Sequence, residues 1–71
     1  MKGLLMCEVN AYLRRGDQDI LLLEKVYKFE VAGSQIRIEN LFGEQKFVGY
    51  PLKEIDFEKN RMIFGEPNKT S

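Results

Sequence analysis

The chain holds one cysteine, Cys7, directly after an internal methionine, Met6, and no histidine. A thiolate beside a free amino terminus presents sulfur and nitrogen donors in one chelate, the donor set of a square-planar metal site. That chelate requires a chain that starts at Cys7, after loss of Met6. Within a longer chain, a lone cysteine is no metal motif and has a plainer role as a small hydrophobe in the core or at a subunit seam. The residues alone leave both roles open.

Other chemistries find little support. With no histidine and only two serines, Ser34 in a turn and Ser71 at the end, no nucleophile can be paired with a base, so the chain does not read as an enzyme. The carboxylate pairs Asp17 with Asp19 and Asp56 with Glu58 fall in or beside turns and read as solvated loop charges, without the buried cleft that general acid-base work needs. Gly33, Gly43, Gly49 and Gly65 are isolated turn or bulge residues and form no phosphate cradle. Eight aromatic residues are numerous for this length: Tyr12, Tyr27, Phe29, Phe42, Phe47, Tyr50, Phe57 and Phe64. A small barrel can stack bases on such rings, but no basic groove accompanies them. Eleven basic and eleven acidic side chains cancel without blocks of either sign, a poor electrostatic footprint for nucleic acid.

The elements that would carry these residues are strands. Residues 7–13 (CEVNAYL) alternate strictly, with Cys7, Val9, Ala11 and Leu13 on the apolar face. A charged hairpin turn at residues 14–19 leads into Ile20, Leu21, Leu22 and Leu23. This apolar quartet breaks alternation and implies burial on both faces or contact with a second subunit. Residues 26–31 continue the sheet after a bend at Glu24 and Lys25, and residues 36–39 follow a turn at 32–35. Residues 40–44 form another turn, and residues 45–50 a strand that Pro51 ends or confines to an edge. Residues 53–57 and 61–64 are the last strands, joined by a tight turn, and the tail 65–71 is polar. Val9, Ala11, Leu13, Ile36, Ile38, Phe47, Ile55 and Phe57 are the expected core.

The 71 residues make one domain, which buries only about 60% of its unfolded surface. Five or six short strands in so few residues favour a closed, all-β, SH3-like barrel, because closure hides sheet edges. The five-stranded OB barrel is the related alternative. One cysteine excludes an internal disulfide and suits a reducing cytoplasm. The apolar stretch 3–7 is too short for a signal core or membrane span.

The succession of Met6, Cys7 and Glu8 opening the first strand, the stretch 22–27 (LLEKVY) and the turn 41–46 (LFGEQK) resembles the CooT family. These small proteins are associated with nickel insertion into carbon monoxide dehydrogenase. The similarity runs from Met6 to about Phe64, and its specific parts are the Met-Cys-Glu start and the Phe-Gly-Glu turn. The resemblance implies an SH3-like barrel that forms a homodimer and binds Ni(II) through Cys7. Amine, deprotonated amide and thiolate from one terminal cysteine suit square-planar Ni(II), and two chains can offer two thiolates to one ion. The family has also carried the label of predicted RNA-binding protein.

In one place the chain departs from that pattern, since residues 1–5 (MKGLL) precede the motif and remove the amine from Cys7. The expectation is that translation starts at Met6, with Lys2 and Gly3 encoded by a purine-rich ribosome-binding stretch. The expected protein is a cytoplasmic homodimer with Cys7 and part of the Ile20 to Leu23 run at its seam. It serves a nickel enzyme such as carbon monoxide dehydrogenase as a Ni(II) carrier and does not touch the membrane. An RNA- or DNA-binding barrel and a metal-independent protein-interaction module are the alternatives.

Overall fold

Alternation sets the first strand, β1 (Val9–Arg15), with Val9, Ala11 and Leu13 buried and Asn10 and Tyr12 half-buried on the other face. The structure is a computed structural model and describes residues 8–66. A two-residue turn with Gly16 at φ +58° reverses the chain into β2 (Gln18–Ala32). Glycine adopts that left-handed conformation without a Cβ penalty, which is why it stands first in the turn.

The bend expected at Glu24 and Lys25 does not divide β2, which runs through fifteen residues. Its pairing with β1 slips by one residue twice, from Tyr12 with Leu21 to Ala11 with Leu23, and then to Val9 with Val26. Lys25 sits at φ +55° in the second slip, so the ladder continues through a bulge. Beyond it, the second half of β2 pairs antiparallel with β3 (Gln35–Asn40), which pairs with β4 (Gln45–Val48). β5 (Leu52–Asp56) pairs with β6 (Arg61–Gly65), and β6 lies parallel to β1, in register from Asn10 with Arg61 to Arg14 with Gly65.

The spatial order is therefore β4-β3-β2-β1-β6-β5, one six-stranded sheet. The all-β expectation holds, but the closed barrel does not, because no ladder joins the edge strands β4 and β5. Only Gly49, Tyr50 and Pro51 separate them, and four residue steps span at most about 14 Å, so the sheet must curl. Pro51 has no N–H to give a ladder, and its carbonyl accepts from the Gly65 N–H at 3.1 Å. The linker is thus bonded to β6 instead of closing the sheet.

The curl encloses Val9, Ala11, Leu13, Leu23, Val26, Ile38, Val48, Met62 and Phe64, with Leu22, Ile36, Tyr50, Leu52 and Ile55 packed at the margin. Of the expected core, Val9, Ala11, Leu13 and Ile38 are buried, and Ile36 and Ile55 are partly so. Phe47 and Phe57 are corrections, at 56% and 63% exposed. Phe47 pairs with Arg37 and shares its face, leaving Val48 to point inward, while Phe57 lies beyond the end of β5. The quartet is not buried on both faces either: Leu23 is buried and Leu22 half-buried, but Ile20 and Leu21 are exposed.

Candidate functional site

Cys7 lies outside the described residues, so the strand it precedes carries the description. β1 is flanked on both sides where it begins. Val9 pairs with Val26, and Asn10 donates its N–H to the Asn60 carbonyl at 3.0 Å. The Asn10 side-chain oxygen accepts from the Lys25 N–H at 3.1 Å, and the Lys25 carbonyl accepts from the Leu41 N–H at 3.1 Å. Both main-chain groups of the bulged residue are thus bonded, which holds its left-handed conformation in place.

This end of β1 offers a carboxylate and an ammonium. Glu8 Oε1 stands 3.9 Å from Lys25 Nζ, and both side chains are exposed. Beside them is a cleft of about 120 Å³ lined by the side chains of Val9, Val26, Phe29, Ile55, Phe57 and Met62 among others. The residue two places before Val9 is the only thiol of the chain. Among the described residues no three or more of His, Cys, Asp and Glu gather in a group able to hold a metal ion.

A second constellation lies at the other end of β1. Asp19 accepts from Arg14 Nε at 2.9 Å and from Arg61 Nη2 at 2.8 Å, and the Arg61 guanidinium stacks 5.5 Å from the centre of the Tyr12 ring. The hydrogen bond from Arg14, then the charges of Arg14 and Arg61, hold the Asp19 carboxyl below the usual carboxylate range. Arg37 likewise bonds Glu30, lowers its pKa, and reaches Glu39 at 3.4 Å. With Arg15 beside Glu66 at 3.3 Å, all four arginines of the chain are paired with carboxylates. Arg14 to Asp19 and Arg37 to Glu30 tie neighbouring strands, Arg61 reaches Asp19 across β1, and each guanidinium has a carboxylate partner.

The third is the loop between β3 and β4, where Asn40 is 2% exposed. Its side-chain oxygen accepts from the N–H of Phe42 at 3.1 Å and of Glu44 at 2.8 Å, and its amide donates to Glu44 Oε1 at 2.7 Å. Gly43, at φ +84°, supplies the reversal. This gives the Phe-Gly-Glu turn a physical basis. The role of Asn40 was missed in the sequence, although an asparagine opening a turn that contains glycine signals such a bond.

The family described as CooT, CO dehydrogenase accessory protein, matches residues 6–65. Among solved structures, the crystal structure of a protein assigned as CooT from Carboxydothermus hydrogenoformans superposes with a TM-score of 0.81 at 27% identity. It covers 87% of this chain and 100% of that one. None of the curated proteins matches the sequence.

Proposed function

The chain belongs to the CooT family of CO dehydrogenase accessory proteins, and from that membership we propose that it carries Ni(II) for the maturation of a nickel enzyme such as carbon monoxide dehydrogenase. The metal is held by the Cys7 thiolate, shared across a homodimer in the cytoplasm. The observation that carries this reading is the extent of the family match, which starts at Met6 and includes Cys7. The donor chemistry supports it: there is no histidine, and the described residues offer no acidic cluster to compete for the ion. A cysteine freed at the amino end of its chain offers thiolate, amide and amine, a set that suits square-planar Ni(II). A small open chelate also suits a carrier that must surrender its metal.

Titration with Ni(II) at neutral pH, followed by thiolate charge-transfer absorbance, tests the proposal on the 71-residue chain and on a form starting at Cys7. The short form is expected to bind about one ion per dimer and the long form much less, because only the short form frees the amine. Cys7→Ser is expected to abolish the band and leave the fold intact. A short form without a thiolate band would return Cys7 to a packing role.

The nucleic-acid reading gains nothing from the fold. All four arginines are paired with carboxylates, and the eleven basic side chains are spread along the sequence among as many acidic ones, whereas a phosphate backbone calls for clustered cations.

A further inference from the structure

Strand β2 changes partners partway along its length. Its first half pairs with β1 from Gln18 to Leu23, and its second half pairs with β3 from Lys28 to Ala32. Among the described residues, Val26 is the one member of β2 paired on both sides, with Val9 and with Asn40. Register slips fall on each side of it, between Val9 and Ala11 in one ladder and between Val26 and Lys28 in the other. The sheet is thus two halves that meet at Lys25 and Val26: β1, β6 and β5 with the start of β2, and β3 and β4 with its end. The other main-chain connection between them is the short link from Gly49 to Pro51.

We propose that Lys25 is a latch at a hinge between these halves. The left-handed region disfavours a residue such as lysine, because its Cβ crowds the following carbonyl. Lys25 nevertheless holds φ +55°. One bond to each half keeps it there: the Asn10 side-chain oxygen on β1 accepts its N–H at 3.1 Å, and its carbonyl accepts the Leu41 N–H of the β3–β4 loop at 3.1 Å. A strained residue persists only while its surroundings over-determine it. When either bond opens, Lys25 relaxes toward an extended conformation, the bulge is lost, and the other bond goes with it. The latch therefore has two states, shut with both bonds or open with neither, and the angle between the halves differs between them.

Asn60 is the other non-glycine residue at positive φ among the described residues, and asparagine in a turn tolerates that conformation, so the strain at Lys25 is the one that calls for a role. Two clefts lie across the hinge. The cleft of about 120 Å³ has Val9, Ile55 and Met62 on one half and Phe29 on the other, with Val26 also in its wall. A larger open groove of about 580 Å³ runs between Leu21, Leu22 and Leu23 and the loop bearing Phe42 and Lys46. Both change width as the halves turn. Nothing in the hinge depends on Cys7 or on nickel.

The test is amide hydrogen exchange and residual dipolar couplings on the isotope-labelled full chain. In Asn10→Ala the Lys25 N–H loses its acceptor, and exchange at Leu41, whose own acceptor is untouched, should speed up by about tenfold or more. Asn10→Asp keeps an acceptor and should restore slow exchange. Couplings from β3 and β6 should fit one alignment frame in the parent and need two in Asn10→Ala. Lys25→Gly removes the strain, so it should slow exchange at Leu41 by about threefold or more and, in combination, abolish the effect of Asn10→Ala. The contact between Lys25 and Glu8 at 3.9 Å is lost in that variant at little cost, because both side chains are exposed. The proposal is overturned if exchange at Leu41 ignores Asn10→Ala, if Lys25→Gly leaves that effect intact or fails to slow Leu41, or if one alignment frame fits every variant. Lys25→Gly relieves strain and adds none, so its outcome decides the matter even where Asn10→Ala fails to fold.

Discussion

Asn40 and Glu44 close the β3–β4 loop on each other: the Asn40 amide donates to the Glu44 carboxylate at 2.7 Å, while its oxygen accepts the Glu44 N–H at 2.8 Å. One buried side chain thereby satisfies two loop amides, counting that of Phe42. The loop owes its shape to this polar plug.

Asn40→Ala is accordingly expected to cost about 2–3 kcal/mol, since it leaves the Phe42 and Glu44 N–H groups without their partner. Urea denaturation measures this. A loss under about 0.5 kcal/mol would mean that water replaces the plug at no cost.

Acid should act on Asp19. Its carboxyl is held below the ordinary value of 3.8, first by the Arg14 hydrogen bond and then by the charges of Arg14 and Arg61. A lowered folded-state pKa contributes stability that is fully present above the unfolded value and is lost as pH falls through the folded one. Asp19→Asn should therefore sit below the parent in thermal midpoint at neutral pH and converge with it below pH 3.8. Parallel curves across that window would count against the network. The effect is small at neutral pH because the groups are solvent-facing.

Two phenylalanines at the ends of neighbouring strands should behave oppositely. Phe64 is 0% exposed in the core, so Phe64→Ala is expected to lose about 3–5 kcal/mol, most of what so small a domain has. Phe57 is 63% exposed, and Phe57→Ala should fall within about 0.5 kcal/mol. If Phe57→Ala proves nearly as costly, a partner must cover it in solution, and the loss would then depend on protein concentration.

Nickel loading should be lost in acid. In the proposed site the thiol and the amine would both shed protons to bind, with ordinary pKa values of about 8.5 and 8. The charge-transfer band of the form starting at Cys7 should weaken steadily as pH drops below neutrality and return on neutralisation. A band indifferent to pH would exclude the amine and thiolate as ligands.

Much was legible in the sequence because the information was local. Alternation in residues 9–13 placed Val9, Ala11 and Leu13 on one buried face, and the glycines at 16 and 33 marked their turns. The strands expected at 36–39, 45–50 and 61–64 were found within a residue or two of their ends. The succession of Met6, Cys7 and Glu8 pointed to the family whose model matches residues 6–65.

What the tertiary structure decided was non-local. Three register slips along β2 reset which residues face inward, and a period of two cannot be carried across a bulge. Phe47 and Val48 are adjacent and both apolar, so only the pairing of Phe47 with Arg37 determines which one enters the core. Barrel closure likewise depends on whether two strands meet after the sheet has curled. Here the Gly49 to Pro51 link bonds to β6 and leaves β4 and β5 unpaired. Alternation assigned faces within each strand, but only the assembled sheet could assign partners, because a ladder bond joins residues that the chain keeps far apart.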